Sequence, residues 1–289
     1  MDCGSPGQPS STTSAAWYAR LDLEVLAERG RSRLGARSHV GPLRVQRPFY
    51  PEGDSPLHLY LLHPPGGLVG GDQLEIALRL LHGAHALVTT PAAQKLYRSA
   101  GAECSQRVEI EVGAEACLEW LPAETIVFDG ARAAQRTRVR LAPDAACVAW
   151  DIGCFGRPAS GLAFARGHLR QGFELWRGAE PLLVERCEIA GGSALLEEAF
   201  GYAGYSVYGN LYAAPANGSI ASMLVARLRS ELRADERVRF AATALGSVVV
   251  VRALGTGAEH VRKLLVSSWQ LLRRDVVGRE PHLPRIWAT

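Results

Sequence analysis

Apolar and polar residues alternate along the first two thirds of the chain, from Leu21 to about Glu188. In residues 74–80 every second residue is leucine or isoleucine, and in residues 136–141 three arginines alternate with a threonine, a valine and a leucine. A period of two places successive side chains on opposite faces of a β-strand. The pattern therefore predicts half-buried strands over most of residues 21–188.

A longer pattern of strand, tight turn and second strand occurs four times, with turns at Gly83, Gly113, Pro143 and Gly178. Repeats of about this length stack so that each covers the apolar face of its neighbour. The sequence thus predicts a mainly β protein with a β-helix or solenoid-like stack of strands. A β-sandwich whose hairpins share turn chemistry is the alternative architecture.

The periodicity changes to that of helices after Ser193. Apolar positions predict two α-helices in the C-terminal third, one over residues 220–232 with Ser219 as N-cap and one over residues 261–276, with a strand between them at residues 247–254. We expect a single domain over residues 17–289, with a β body at about 17–190 and an appended α/β section at about 191–289. Residues 1–16, rich in Ser, Gly and Pro, are expected to form a disordered tail.

Composition and charge narrow the functional classes. Apolar residues make up 47% of the chain, enough for a large core, and the formal net charge is only +3. That balance does not favour nucleic acid as a partner. No apolar run approaches the roughly 20 residues of a membrane span, and residues 1–16 lack the pattern of a signal peptide.

Six cysteines are scattered along the sequence without a C-x-x-C pair. We expect reduced, buried thiols rather than a zinc site or a disulfide framework. Cys117 and Cys147 occupy matching positions in the second and third repeats, so a solenoid would place them on the same face of adjacent coils.

The segment HPPGGLVGGD, from His63 to Asp72, predicts a shaped loop because its glycines allow positive φ and its prolines stiffen the entry. A strand rather than a helix follows it, which argues against a phosphate site. The loop could bring His63 and Asp72 to one mouth as ligands for a borderline ion such as nickel, or Asp72 could cap the loop and His63 simply pack. By contrast, His82 and His85 lie across a turn and are expected to be solvated.

Alternation places Asp151 on the face opposite Trp150, and Glu185 on the face opposite Val184. Each carboxylate therefore points either to solvent or to a polar passage through the stack. No nucleophile and base pair stands out, and the acidic residues between 119 and 129 have no distinguishing spacing. The sequence thus predicts a protein that is not an enzyme.

Several ordered motifs closely resemble the UreD family of urease accessory proteins (called UreH in some bacteria). The match runs from about Trp17 to the last residue. The motifs that carry it occupy residues 41–53, 58–72, 89–99, 119–131, 156–161, 181–186 and 284–289.

The resemblance implies a cytoplasmic, non-enzymatic helper that docks on the apoprotein subunits of urease. With UreF, and with the GTPase UreG bound through UreF, it would deliver nickel to the urease active site. No cofactor would be tightly bound, and Ni²⁺ would pass transiently along an internal route. The residues that the resemblance places on that route are Asp72, Asp151 and Glu185, with His63 less securely placed. Those expected to shape a loop or a partner surface are Lys95, Tyr97 and Arg98.

Three positions depart from the family pattern. Leu162 stands where a Glu is frequent, Leu96 replaces a usual Phe, and Asn210 replaces a usual Thr. Two other functions stay open on the sequence: a secreted-type β-solenoid polysaccharide lyase or hydrolase, and a purely structural urease scaffold that does not contact nickel.

Overall fold

The computed structural model describes residues 16–288, and the tail predicted for residues 1–16 lies outside them except for Ala16. Strands dominate the described residues, as the alternation predicts. The strands in chain order are β1 Tyr18–Glu28, β2 Arg31–Val40, β3 Arg44–Val45, β4 Leu57–Leu62, β5 Gly67–Leu68, β6 Gln73–Leu80, β7 His85–Thr89, β8 Gln94–Leu96, β9 Cys104–Val112, β10 Cys117–Trp120, β11 Thr125–Val127, β12 Arg132–Leu141, β13 Ala146–Phe155, β14 His168–Arg177, β15 Glu180–Ala190, β16 Val207–Ala214, β17 Val238–Leu245 and β18 Val248–Gly255. The α-helices are α1 Ala194–Glu197, α2 Ala221–Glu231 and α3 Ala258–Val277.

Within residues 16–288 the strands form two sheets. The first sheet has the order β15-β14-β12-β9-β6-β1-β2. The second has the order β17-β18-β16-β13-β10-β7-β4-β3, with the short strands β5, β8 and β11 beside it. One apolar core lies between the two sheets, and another lies between the second sheet and helices α2 and α3.

The first three repeats stack as coils, which confirms the solenoid prediction. Strands β6, β9 and β12 pair in parallel in the first sheet, and β7, β10 and β13 pair in parallel in the second. Each coil turns from one sheet to the other through a four-residue corner, as at residues 81–84. Parallel in-register stacking keeps the same apolar positions facing the core in each coil.

The fourth repeat departs from this prediction. Strands β14 and β15 form an antiparallel hairpin within the first sheet, because a two-residue turn at Gly178 replaces the four-residue corner. A turn that short joins adjacent antiparallel strands and cannot carry the chain across to the opposite sheet. The hairpin therefore ends the first sheet at β15.

The expected same-face placement of Cys117 and Cys147 is wrong. Cys117 pairs with Ala146, and Leu118 pairs with Cys147, so the two cysteines point to opposite faces of the second sheet. A shift of one residue in register exchanges the two faces of a strand.

The two predicted helices are confirmed as α2 and α3, and the single-turn helix α1 is additional. The predicted N-cap is wrong, since Asn217 rather than Ser219 accepts the capping hydrogen bond, in a 3₁₀ turn at Gly218–Ile220 that precedes α2. Strands β16 to β18 continue the second sheet from β13, so the C-terminal section shares a sheet with the stacked coils.

Candidate functional site

The loop from His63 to Asp72 is shaped by its glycines and by Asp72. The Asp72 side chain is buried; its Oδ1 accepts from the Trp17 backbone N–H at 3.0 Å and its Oδ2 accepts from the Val69 N–H at 2.9 Å. A Cβ added at Gly67 would lie 2.4 Å from the ring of Tyr97, so only glycine fits there. Both oxygens of Asp72 are thus committed to holding the loop.

The segment with Lys95, Tyr97 and Arg98 lies directly beside this loop. Strand β5 of the loop pairs in parallel with β8, which contains Lys95. The Tyr97 ring packs edge-on against Phe128 with centroids 5.0 Å apart, and the Arg98 guanidinium lies 3.6 Å from the Asp129 carboxylate. The structure therefore brings together two segments that are about thirty residues apart in the sequence.

A cavity of about 380 Å³ lies between the two sheets next to the loop. His63 lines it, and the His63 Nδ1 is buried without a hydrogen-bond partner within the described residues. Burial lowers the pKa of His63, and the negative charge of Asp72 opposes that shift. The imidazole is therefore biased towards the neutral form, in which a ring nitrogen can act as a metal ligand.

Asp151 lines the same cavity from strand β13, on the face opposite Trp150 as the alternation predicts. Its carboxylate is below the surface, and Gln171 of β14 donates a side-chain hydrogen bond to Oδ2. Burial raises the pKa of Asp151 to about 7, with the charge of Glu185 adding to the effect and Asn210 and Arg252 opposing it. Near neutral pH the group can therefore exchange a proton for a cation.

A second cavity of about 670 Å³ adjoins the first, and Asp151, Gln171 and Phe173 line both. Glu185 lines the second cavity from strand β15, where it accepts a hydrogen bond of 2.9 Å from the Tyr212 hydroxyl and pairs with Arg252. Asp151 thus stands where the two spaces meet.

The four residues that the sequence assigns to a nickel route are placed differently. His63 and Asp151 share the first cavity, and Asp151 and Glu185 share the second. Asp72 interacts with His63 but does not line either cavity. Among residues 16–288 no three His, Cys, Asp or Glu side chains converge as a metal cluster.

A row of glutamines was missed by the sequence reasoning. Gln106, Gln135 and Gln171 are opposite one another on β9, β12 and β14, and all three line the first cavity. Their spacings of 29 and 36 residues follow the repeat, and each occupies a position that alternation assigns to the interior. A repeated glutamine at an inward position was the available signal for a polar interior.

A buried charge network was also missed, and it overturns the expectation for His85. His85 is only 7% exposed, and its Nε2 lies 3.0 Å from Glu119, whereas His82 is exposed as predicted. Glu119 and Arg273 are fully buried and joined by two hydrogen bonds. His85 is therefore a packed partner of a carboxylate, because the corner before β7 turns it inward.

Comparison with known proteins identifies the family. A family profile described as UreD urease accessory protein matches residues 18–288. The chain belongs to the UreD family of urease accessory proteins. A urease accessory protein UreD of Hahella chejuensis is 40% identical over 99% of this chain and 95% of its own length. Another of Pseudomonas putida is 43% identical over 96% of this chain and 97% of its own length.

Membership of the UreD family bears on whether the chain is an enzyme. The family is one of accessory proteins, so the expectation that the chain is not an enzyme is confirmed, and the polysaccharide lyase or hydrolase alternative is excluded. Across residues 16–288 no helix is both long and apolar enough to cross a membrane.

Proposed function

We propose that this UreD-family chain acts in the cytoplasm during maturation of urease, by giving Ni²⁺ an internal passage towards the urease active site. The names of its relatives support a role beside urease. The observation that carries the proposal is the pair of adjoining cavities that meet at Asp151.

The passage begins at the mouth lined by His63 and continues between the sheets. The glutamine row and the threonines of the first cavity offer neutral oxygens that can replace part of the hydration of an ion. Ni²⁺ accepts both imidazole nitrogen and carboxylate oxygen as ligands. An ion that meets one such group at a time is held weakly enough to move on.

Asp151 serves as the ionisable point of the passage. With its pKa near 7, the carboxyl can release its proton when a cation arrives and regain one when the cation leaves. Beyond it, Glu185 lies in the second cavity but is paired with Arg252, so it guides the ion only when that pair opens.

The partners in the proposal follow from the resemblance. UreF would bind one surface of the chain and present nickel held by UreG, and the apoprotein subunits of urease would bind another. Lys95, Tyr97 and Arg98 lie beside the mouth, where a docked partner would meet the chain.

The test is co-expression of the chain with the urease subunits, UreF and UreG, followed by copurification and metal analysis. Asp151→Leu fills the junction with an uncharged side chain and is expected to leave the complex assembled but lower the nickel content of urease at least several-fold. The matched control is Glu188→Leu, because Glu188 lies on the solvent side of β15. Full metallation with Asp151→Leu would instead favour a scaffold that does not contact nickel.

A further inference from the structure

The Asp151 carboxylate is held by a chain of two hydrogen bonds that crosses between the sheets. Gln171 on β14 donates from Nε2 to Asp151 Oδ2, and the Tyr208 hydroxyl on β16 donates to Gln171 Oε1. An ionised carboxylate only accepts hydrogen bonds, so the amide nitrogen must face Asp151 and the amide oxygen must face Tyr208. The ionised carboxylate therefore fixes which way the amide points, and the Tyr208 hydroxyl holds the amide there by donating to its oxygen.

The hydrogen bond from Gln171 occupies Oδ2 of Asp151 and leaves Oδ1 without such a bond. Oδ1 is buried and makes no hydrogen bond of normal geometry within residues 16–288, although the Asn210 side chain on the paired strand β16 is near enough to lower the pKa of the carboxyl. Buried polar atoms without a partner are uncommon in folded proteins and call for an explanation. Here Asp151 lines both cavities, so a cation in the passage would satisfy Oδ1.

The Tyr208 ring is itself held in place by packing. It is opposite Gly153 on β13, where an added Cβ would lie 2.2 Å from the ring carbon Cε1. The ring also lies against Phe155, with centroids 5.4 Å apart. Glycine at position 153 thus gives the ring the space from which its hydroxyl reaches Gln171.

The neighbouring glutamine provides an internal comparison. Gln135 is opposite Gln171 on β12 and also lines the first cavity, but its Nε2 donates to Gln106 Oε1 at 3.1 Å. The two glutamines thus differ in their partners: Gln171 bonds to Asp151 and Tyr208, whereas Gln135 bonds to Gln106.

We propose that Gln171 and Tyr208 are positioning residues that orient Asp151 so that Oδ1 faces the nickel passage. The inference rests on the proposed function. Because the Gln171 N–H donates to the carboxylate, it favours the ionised form over the neutral form. The other titratable and charged groups that line the two cavities with Asp151 are His63 and Arg136 in the first, and Glu185, Arg186, Cys187, Tyr202, Tyr208, Tyr212, Arg239 and Arg252 in the second.

Loss of the hydrogen bonds that link Tyr208, Gln171 and Asp151 should therefore change the pH dependence of nickel transfer. Burial raises the pKa of Asp151 to about 7, and removal of a hydrogen bond to the charged form should raise it further. The expected size is about one pH unit, from the usual strength of hydrogen bonds to ionised groups. A variant without these hydrogen bonds should then recover nickel transfer at higher pH, whereas a misfolded variant would not.

The experiment measures nickel in urease apoprotein incubated with the full chain in complex with UreF and nickel-loaded UreG, from about pH 6 to about pH 9. Gln171→Leu is expected to move the midpoint of transfer up by about one unit. Tyr208→Phe, which removes one oxygen and keeps the ring, should move it in the same direction by less. Gln46→Leu is the control, because Gln46 is exposed and lines neither cavity, and it should leave the midpoint unchanged.

The Asp151→Asn variant distinguishes failure of the proposed nickel passage from failure of the positioning role of Gln171 and Tyr208. If Asp151→Asn transfers nickel as the unchanged chain does at every pH, the proposed function is overturned and this inference with it. If Asp151→Asn is defective while Gln171→Leu and Tyr208→Phe keep the original midpoint, only the positioning role is overturned. An equal shift in Gln46→Leu would also overturn it, because the effect would then not depend on a contact with Asp151.

Discussion

Arg273 is expected to be the most costly single side chain to remove from the C-terminal helix. It is fully buried on α3 and donates to Glu119 at 2.9 and 3.0 Å and to Glu52 at 2.7 and 2.8 Å. The Trp269 indole N–H also donates to Glu119, at 2.6 Å. These contacts join α3 to strand β10 and to the loop before β4, so Arg273→Met would leave two carboxylates without their guanidinium.

The free energy of unfolding that Arg273→Met should lose can be worked out from the ion pair and from the pKa of Glu119. Removing one partner of a buried ion pair typically costs about 3–5 kcal/mol. Burial alone would raise the pKa of Glu119, but the hydrogen bonds and charges of His85 and Arg273 outweigh it and lower the pKa from 4.5 to about 2. At about 1.4 kcal/mol per pKa unit, this stabilises the ionised carboxylate by about 3 kcal/mol, part of which comes from His85.

The ionisation of Glu119 makes the effect of Arg273→Met depend on pH. A lowered carboxyl pKa contributes stability that is present above the ordinary pKa of 4.5 and is lost as pH falls towards about 2. The penalty of Arg273→Met should thus be largest near neutral pH and shrink as pH falls, because Glu119 in the variant is protonated at a higher pH than in the unchanged chain.

The assay is urea unfolding of the isolated chain at several pH values, with thermal unfolding as a second measure. At neutral pH the variant should unfold with about 3–5 kcal/mol less free energy, which for a chain of this size corresponds to a Tm lower by about 10 °C. Arg274→Met is the matched control, since the Arg274 side chain is 77% exposed. A loss within about 1 kcal/mol of that control would refute the reasoning, because it would mean that the network adds no more than a surface pair.

Two further predictions concern buried titratable groups. Asp151→Asn should stabilise the fold increasingly as pH rises from about 4 to about 7, by at most about 4 kcal/mol, because the raised pKa means that ionising Asp151 costs folding free energy in that range; unfolding curves at pH 5 and pH 8 would check this, and an equal effect at both would contradict it. Burial raises the pKa of the Cys104 thiol to about 11 and that of Cys154 to about 12, so both should resist a thiol reagent at pH 8 until urea is added, while the half-buried Cys187 reacts first among the described cysteines. Rapid labelling of Cys104 or Cys154 in the folded chain would contradict this second expectation.

The stacked coils could be predicted because each depends on local sequence. Alternation marks the inward side chains, and a four-residue corner follows the first strand of each coil, although Gly83 is the third residue of its corner and Gly113 is the first of its own. The hairpin at Gly178 could not be told from a corner by its alternation, since both join two alternating strands. The loop length of two rather than four residues, which only the strand ends reveal, decides between them.

The charge network had a partial signal. Arg273 follows Trp269 by four positions and precedes Val276 by three, which places it on the apolar face of α3 rather than at its solvent edge. Arg274, the next residue, is exposed in the last turn of α3, where a positive charge complements the helix dipole. The partner of Arg273 could not be inferred, because Glu119 lies 154 residues away on a strand and no local pattern links the two.

The buried carboxylates of this chain divide into two kinds, and the division supports the assignment of Asp151. Glu119 accepts hydrogen bonds from Trp269 and Arg273, and its pKa is lowered to about 2, as expected for a charge that the fold compensates. Asp151 receives one such bond from Gln171, keeps a buried oxygen without a partner, and has its pKa raised to about 7. A chain that pairs Glu119 so completely but leaves Asp151 half-satisfied at the junction of two cavities bears an energetic cost that stability does not require. The cost is accounted for if a cation visits Oδ1, and a structural carboxylate would have been paired as Glu119 is.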